Sequence, residues 1–100
     1  MAQAEPVAES FAPEHLLKLY RSILLPRMIE EKMLVLLRQG KLSKWFSGIG
    51  QEAIATGVVN GLAPDDYILP MHRNLGVFTG RDLDLPRLLR QLLGKEGGFT

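Results

Sequence analysis

One hundred residues are enough for one small domain with a modest core. Twelve basic residues against eleven acidic ones leave a net charge of +1, which supplies no electrostatic basis for binding nucleic acid or an anionic membrane surface. With no cysteine there is no disulfide, thiolate metal site or cysteine nucleophile within this stretch. No apolar run approaches the ~20 residues of a membrane span, and Met1–Phe11 carries two glutamates and no lysine or arginine, unlike a targeting peptide. A cytoplasmic location is the expectation.

Residues 1–12 read as a flexible arm, and 13–100 as the folded part. Ser10 or Ala12 stands at the start of a first helix, with Pro13 and Glu14 in its opening turn. Apolar residues then recur at helical spacing through Leu16, Tyr20, Ile23, Leu24, Met28, Leu34 and Val35, and Gly40 is a natural stop. Pro26 lacks an amide donor and crowds the carbonyl four residues earlier, so a kinked or divided helix is predicted. From Met28 to Leu37 the helix is apolar around most of its circumference, a pattern that asks for burial on several sides and implies a partner or further chain. Arg27 and Glu30, three apart, are spaced for a local pair worth about 0.2–0.5 kcal/mol.

Lys41–Gly48 reads as a loop holding Trp45 and Phe46. Gly50–Leu62 reads as a second helix, with Glu52 favoured in its first turn by the helix dipole. Ala53, Gly57 and Gly61 recur every four positions along it. Since a mid-helix glycine costs roughly 1 kcal/mol relative to alanine, two of them predict close approach of another backbone on that face. A turn at Ala63–Asp66 leads into Tyr67–Pro70, predicted as a short buried strand. Then come a loop through Met71, His72 and Arg73, a short helix near Leu75–Thr79, and a last helix. Asp84 caps the last one, Leu88, Leu89, Leu92 and Leu93 form its inner face, and Gly94 ends it.

Three groups of residues, in this order and spacing, form a recognisable pattern: Leu19-Tyr20-Arg21-Ser22 with Arg27, Glu30 and Glu31; Gly50-Gln51-Glu52-Ala53; and Tyr67-Ile68-Leu69-Pro70-Met71-His72-Arg73 with Gly76. From about Glu14 onward the chain resembles the α subunits of pyruvate, branched-chain 2-oxo acid and acetoin dehydrogenases. The resemblance implies an α/β, thiamine-diphosphate-binding fold, present here as its mainly helical N-terminal part with one short strand. It implies an E1 component that oxidatively decarboxylates a 2-oxo acid and passes the acyl group to the lipoyl domain of an E2 acyltransferase, with an E1 β subunit completing an α₂β₂ assembly. Magnesium belongs to the same implied site, but the Gly-Asp-Gly element that begins its ligand set in the family is absent from these residues.

Arginine at the place of Arg73 contacts the cofactor diphosphate in the family, a role suited to a permanently charged group with paired donors. His72 stands beside it and can donate to a phosphate oxygen; the alternative is a histidine filling space beside the strand. Phe46 departs from pyruvate dehydrogenases, which tend to carry a substrate-contacting histidine there. A phenyl group suits a pocket for an apolar substrate side chain, which favours a branched 2-oxo acid over pyruvate; the alternative is that Trp45 and Phe46 simply anchor their loop. None of these residues is a general base or nucleophile, and no metal-ligand cluster is present. Two other classes compete: a non-catalytic helical interaction module, and, more weakly, a helix-turn-helix DNA binder, disfavoured by the near-neutral charge.

Overall fold

A computed structural model describes residues 11–99. Among them are four helices: α1, Pro13–Arg38; α2, Glu52–Gly61; α3, Leu75–Thr79; and α4, Leu85–Leu92. Ala12 precedes α1 in an extended conformation, Pro13 occupies its first turn, and Glu14 faces its positive end. At the other end, the Gly40 amide bonds the Leu37 carbonyl at 3.1 Å and the Lys41 amide bonds Leu36 at 3.0 Å. Gly40 sits at φ +75°, so this is a Schellman stop of the kind that glycine best accommodates. The same arrangement closes α4, through Gly94 to Gln91 and Lys95 to Arg90. Asp84 caps α4 by accepting from the Arg87 amide at 3.3 Å.

Pro26 does not divide α1, which runs as one helix through it. Its ring is fully buried, and the Ser22 carbonyl it deprives of a donor receives one from α2: Thr56 Oγ1 donates to Ser22 O at 3.0 Å. The proline is tolerated because a neighbouring element makes good the missing bond.

One apolar cluster gathers Ile29 and Met33 of α1, Leu42, Leu75 and Leu88, with Trp45, Leu85, Leu89, Leu92 and Leu93 packed against it. The inner face predicted for α4 is therefore the face it uses. A second, smaller cluster joins Ala55, Val59 and Val77, with Ile68 against it. Here α2 and α3 approach closely, but not on the face that Gly57 and Gly61 suggest. Nothing lies within 4 Å of a Cβ placed on either residue. The small residues that permit contact are on α3 and at its C-cap: a Cβ on Gly76 would lie 3.1 Å from Ala55 Cβ, and one on Gly80 would lie 2.9 Å from Val59 Cγ1. Ala53, Ile54, Gly57, Val58 and Gly61 are left as an exposed face.

The strand predicted at Tyr67–Pro70 does not form among the described residues. The backbone there is unpaired, Tyr67 is 99% exposed and Leu69 97% exposed, and Ile68 is the residue that turns inward. An extended segment becomes a strand only when a neighbour satisfies its backbone groups, and residues 11–99 provide none. What they form is mainly helical. The arm predicted over residues 1–12 falls largely outside the described residues.

Candidate functional site

Two loops meet beside the N-terminus of α2. One joins α1 to α2 and carries Trp45, Phe46 and Gly48. The other precedes α3 and carries His72 and Arg73. The second is closed by a reciprocal turn, the Met71 amide donating to Asn74 Oδ1 at 2.8 Å and the Asn74 amide to the Met71 carbonyl at 3.1 Å. Gly48 is buried where the loops touch, and a Cβ placed on it would collide with the carbonyl oxygen of Arg73. Only glycine fits so close to that backbone.

Phe46 and His72, 26 positions apart in sequence, lie ring to ring with centroids 4.5 Å apart and planes tilted by 60°. Such tilted pairs are favourable beyond simple area burial. Phe46 is half exposed, so it is neither a core anchor nor a fully presented side chain. Gln51, Met71, His72, Arg73 and Asn74 line an open depression of about 320 Å³. The three residues singled out from sequence thus share one edge of the molecule. Both Arg73 and His72 are exposed, and the Arg73 guanidinium has no hydrogen-bond or ion-pair partner among the described residues. Arg27, Arg81 and Arg87, by contrast, are committed: to Glu52, to the carbonyls of Pro64 and Asp66, and to the Gly98 carbonyl with the Phe99 ring. Arg73 pairs with neither Asp65 nor Asp66 and stands open to solvent.

The supporting contacts differ from the sequence expectation. Arg27 does not pair with Glu30. Its guanidinium forms a two-pronged bond with Glu52, through Nε to Oε1 and Nη2 to Oε2, the latter at 3.1 Å. Glu52 Oε2 also accepts from the Gly50 amide at 2.8 Å. Arg27's donated bond, more than any other influence, holds the Glu52 carboxyl below the usual glutamate range; burial opposes this and backbone amides reinforce it. The same bond pushes Arg27 upward. Glu30 is 1% exposed and accepts from Trp45 Nε1 at 2.6 Å and from the Gly48 amide at 2.9 Å. Sequence reasoning missed Glu30, Trp45 and Gly48 as a connected set, and Thr56 as the donor to Ser22. The available signal was a charged residue inside the apolar stretch of α1, which must find donors if it is buried.

No cluster of three or more metal-ligating side chains exists among the described residues. No helix of the structure is long and apolar enough to cross a membrane. The donor chemistry at the edge, a guanidinium beside an imidazole and a carboxamide, suits an anionic group such as a phosphate.

The helical frame presents an arginine and a histidine side by side from one loop, and sequence comparisons identify the family to which that frame belongs. The sequence model of the dehydrogenase E1 component matches residues 20–99, and the chain belongs to that family. It is 36% identical over 83 residues to the 2-oxoisovalerate dehydrogenase subunit alpha of Pseudomonas aeruginosa, covering 83% of this chain and 20% of that protein. The corresponding subunit of Bacillus subtilis is 36% identical over 86 residues, 80% of this chain and 26% of that one. The pyruvate dehydrogenase E1 component subunit alpha of Acholeplasma laidlawii is 31% identical over 94 residues, 94% of this chain and 27% of that one. The chain spans about a fifth to a quarter of the length of these relatives. No solved structure gives a significant match.

Proposed function

We propose that this chain is the part of an E1 α subunit that helps anchor thiamine diphosphate, in a 2-oxo acid dehydrogenase whose assembly includes an E1 β subunit and a lipoyl-bearing E2 partner. The observation that carries the reading is the exposed, unpartnered guanidinium of Arg73, set beside His72 in the depression that Gln51 helps to line. Arg73 supplies paired, charge-assisted donors to the diphosphate, and His72 supplies one more. Magnesium takes its ligands from residues outside this stretch. The cofactor, when bound, supplies the carbanion-stabilising chemistry that decarboxylation requires; the residues described here bind and orient it.

Phe46, packed on His72, lines the approach to the cofactor and favours a branched 2-oxo acid over pyruvate, and two of the relatives described above are named for 2-oxoisovalerate. The exposed α2 face and the bare segment Tyr67–Met71 are covered by the rest of the E1 assembly. That coverage also accounts for the apolar surface that a non-catalytic interaction module would explain. A cytoplasmic location is part of the same reading.

A titration of the complete α and β enzyme with thiamine diphosphate tests it. Losing a charge-assisted bond typically costs about 1.5–3 kcal/mol, so Arg73→Ala should weaken cofactor binding roughly ten- to a hundredfold. Arg73→Lys should recover part, since an ammonium supplies charge without the planar fork. Most of the lost activity returns at saturating cofactor. Equal binding by all three proteins would remove Arg73 from the diphosphate site.

A further inference from the structure

The Phe46 loop and the His72–Arg73 loop come from different parts of the chain, and their relative position decides what the exposed edge offers a ligand. A buried carboxylate stands behind the edge. Glu30, 1% exposed in the middle of α1, divides its two oxygens between Trp45 Nε1 at 2.6 Å and the Gly48 amide at 2.9 Å. These donors flank Phe46, so the short stretch that carries its ring is held at both ends. From there two contacts cross to the other loop: the Phe46 ring against the His72 ring at 4.5 Å, and Gly48 against the Arg73 carbonyl. A Cβ on Gly48 would also stand 3.3 Å from Glu30 Oε1, so carboxylate, glycine and carbonyl form one tightly packed stack. Glu30 does not line the depression itself.

We propose that Glu30 is a positioning residue for the cofactor edge: one buried carboxylate sets Phe46 against His72 and Gly48 against the Arg73 backbone. A glutamate in this place accepts both N–H groups at once. A glutamine cannot, because its carboxamide offers one acceptor and presents an NH₂ to the second donor. The inference rests on the reading that His72 and Arg73 hold the diphosphate.

The test uses the full-length chain assembled with its partner subunit and titrated with thiamine diphosphate. It compares wild type, Glu30→Gln, Trp45→Phe, Gly48→Ala and Arg73→Ala. Glu30→Gln should raise the apparent Kd for the cofactor about tenfold, with activity largely recovered at saturating cofactor and Trp45 emission shifted to the red. Trp45→Phe keeps the Gly48 bond and should lose less affinity. Gly48→Ala keeps the Glu30 carboxylate but crowds it and displaces the Arg73 carbonyl, and should reproduce the binding loss; with Trp45→Phe it decides the matter if Glu30→Gln does not fold. Folded Glu30→Gln and Gly48→Ala proteins that bind cofactor like wild type, while Arg73→Ala binds weakly, overturn the positioning role alone. Wild-type binding by Arg73→Ala as well overturns the site assignment beneath it.

Discussion

Thr56 Oγ1 donates its 3.0 Å hydrogen bond to the one α1 carbonyl, that of Ser22, which Pro26 leaves without a helical donor. A tertiary contact here completes a secondary-structure element, and it fixes where α2 docks along α1. Thr56→Val keeps shape and volume but orphans the carbonyl, and should cost about 1–2 kcal/mol of stability. Thr56→Ser should retain the bond. In a Pro26→Ala background the restored amide can serve Ser22, so the cost of Thr56→Val should shrink. A double-mutant cycle by chemical denaturation of the assembled protein measures that coupling; strict additivity would show that Thr56 does not compensate for Pro26.

Acid should weaken the junction of α1 with the N-terminus of α2. The folded-state pKa of Glu52 lies below its unfolded value, chiefly through the bond from Arg27. Its contribution is therefore present above the unfolded glutamate range and is lost as pH falls through the lower folded value. Arg27 moves the other way, and its contribution persists throughout the ordinary range because guanidinium stays charged. Melting temperatures of wild type and Glu52→Gln should differ near about pH 6, and the gap should begin to close as pH falls below ~4.3, where free glutamate titrates. A constant gap across that range would contradict the assignment.

Phe46 offers a specificity prediction. In the complete enzyme, Phe46→His should move the kcat/KM preference from branched 2-oxo acids toward pyruvate. A change of one or two methylenes of pocket fit is worth about 1–3 kcal/mol, a shift large enough to read across a substrate series. An unchanged ranking would leave Phe46 as a ring that supports His72.

The 100-residue chain in isolation should self-associate. Its radius of gyration is 15.6 Å, against about 13 Å for a compact chain of this length. Tyr67, Leu69, Met71, Ile54 and Met28 stand 99%, 97%, 70%, 68% and 59% exposed. Apolar surface of this kind marks contact with other protein. Analytical ultracentrifugation should show oligomers that diminish when Tyr67 and Leu69 are both changed to Ser. A sharp monomer for the unaltered chain would mean that it closes its own core.

The helices were legible in the sequence because their signals are local. Pro13, Gly40, Asp84 and Gly94 act within a turn of where they stand, and the apolar spacing of α4 names the face it buries. Arg73, His72 and Phe46 could be singled out through the family resemblance that the surrounding motifs carry, and they do share one edge. Tertiary structure decided the rest, because each remaining feature depends on partners far along the chain. Arg27 and Glu30 are well spaced to pair, yet each finds a better-placed partner more than ten residues away. The glycines that admit α3 against α2 lie in α3 and at its C-cap, since which face of α2 is covered depends on what packs there. Tyr67–Pro70 has a strand's composition but no backbone partner within residues 11–99, and a strand exists only as one of a pair. Helix hydrogen bonds close within four residues and can be read locally; sheets, buried carboxylates and helix contacts are settled by whichever distant group supplies the missing donor, acceptor or surface.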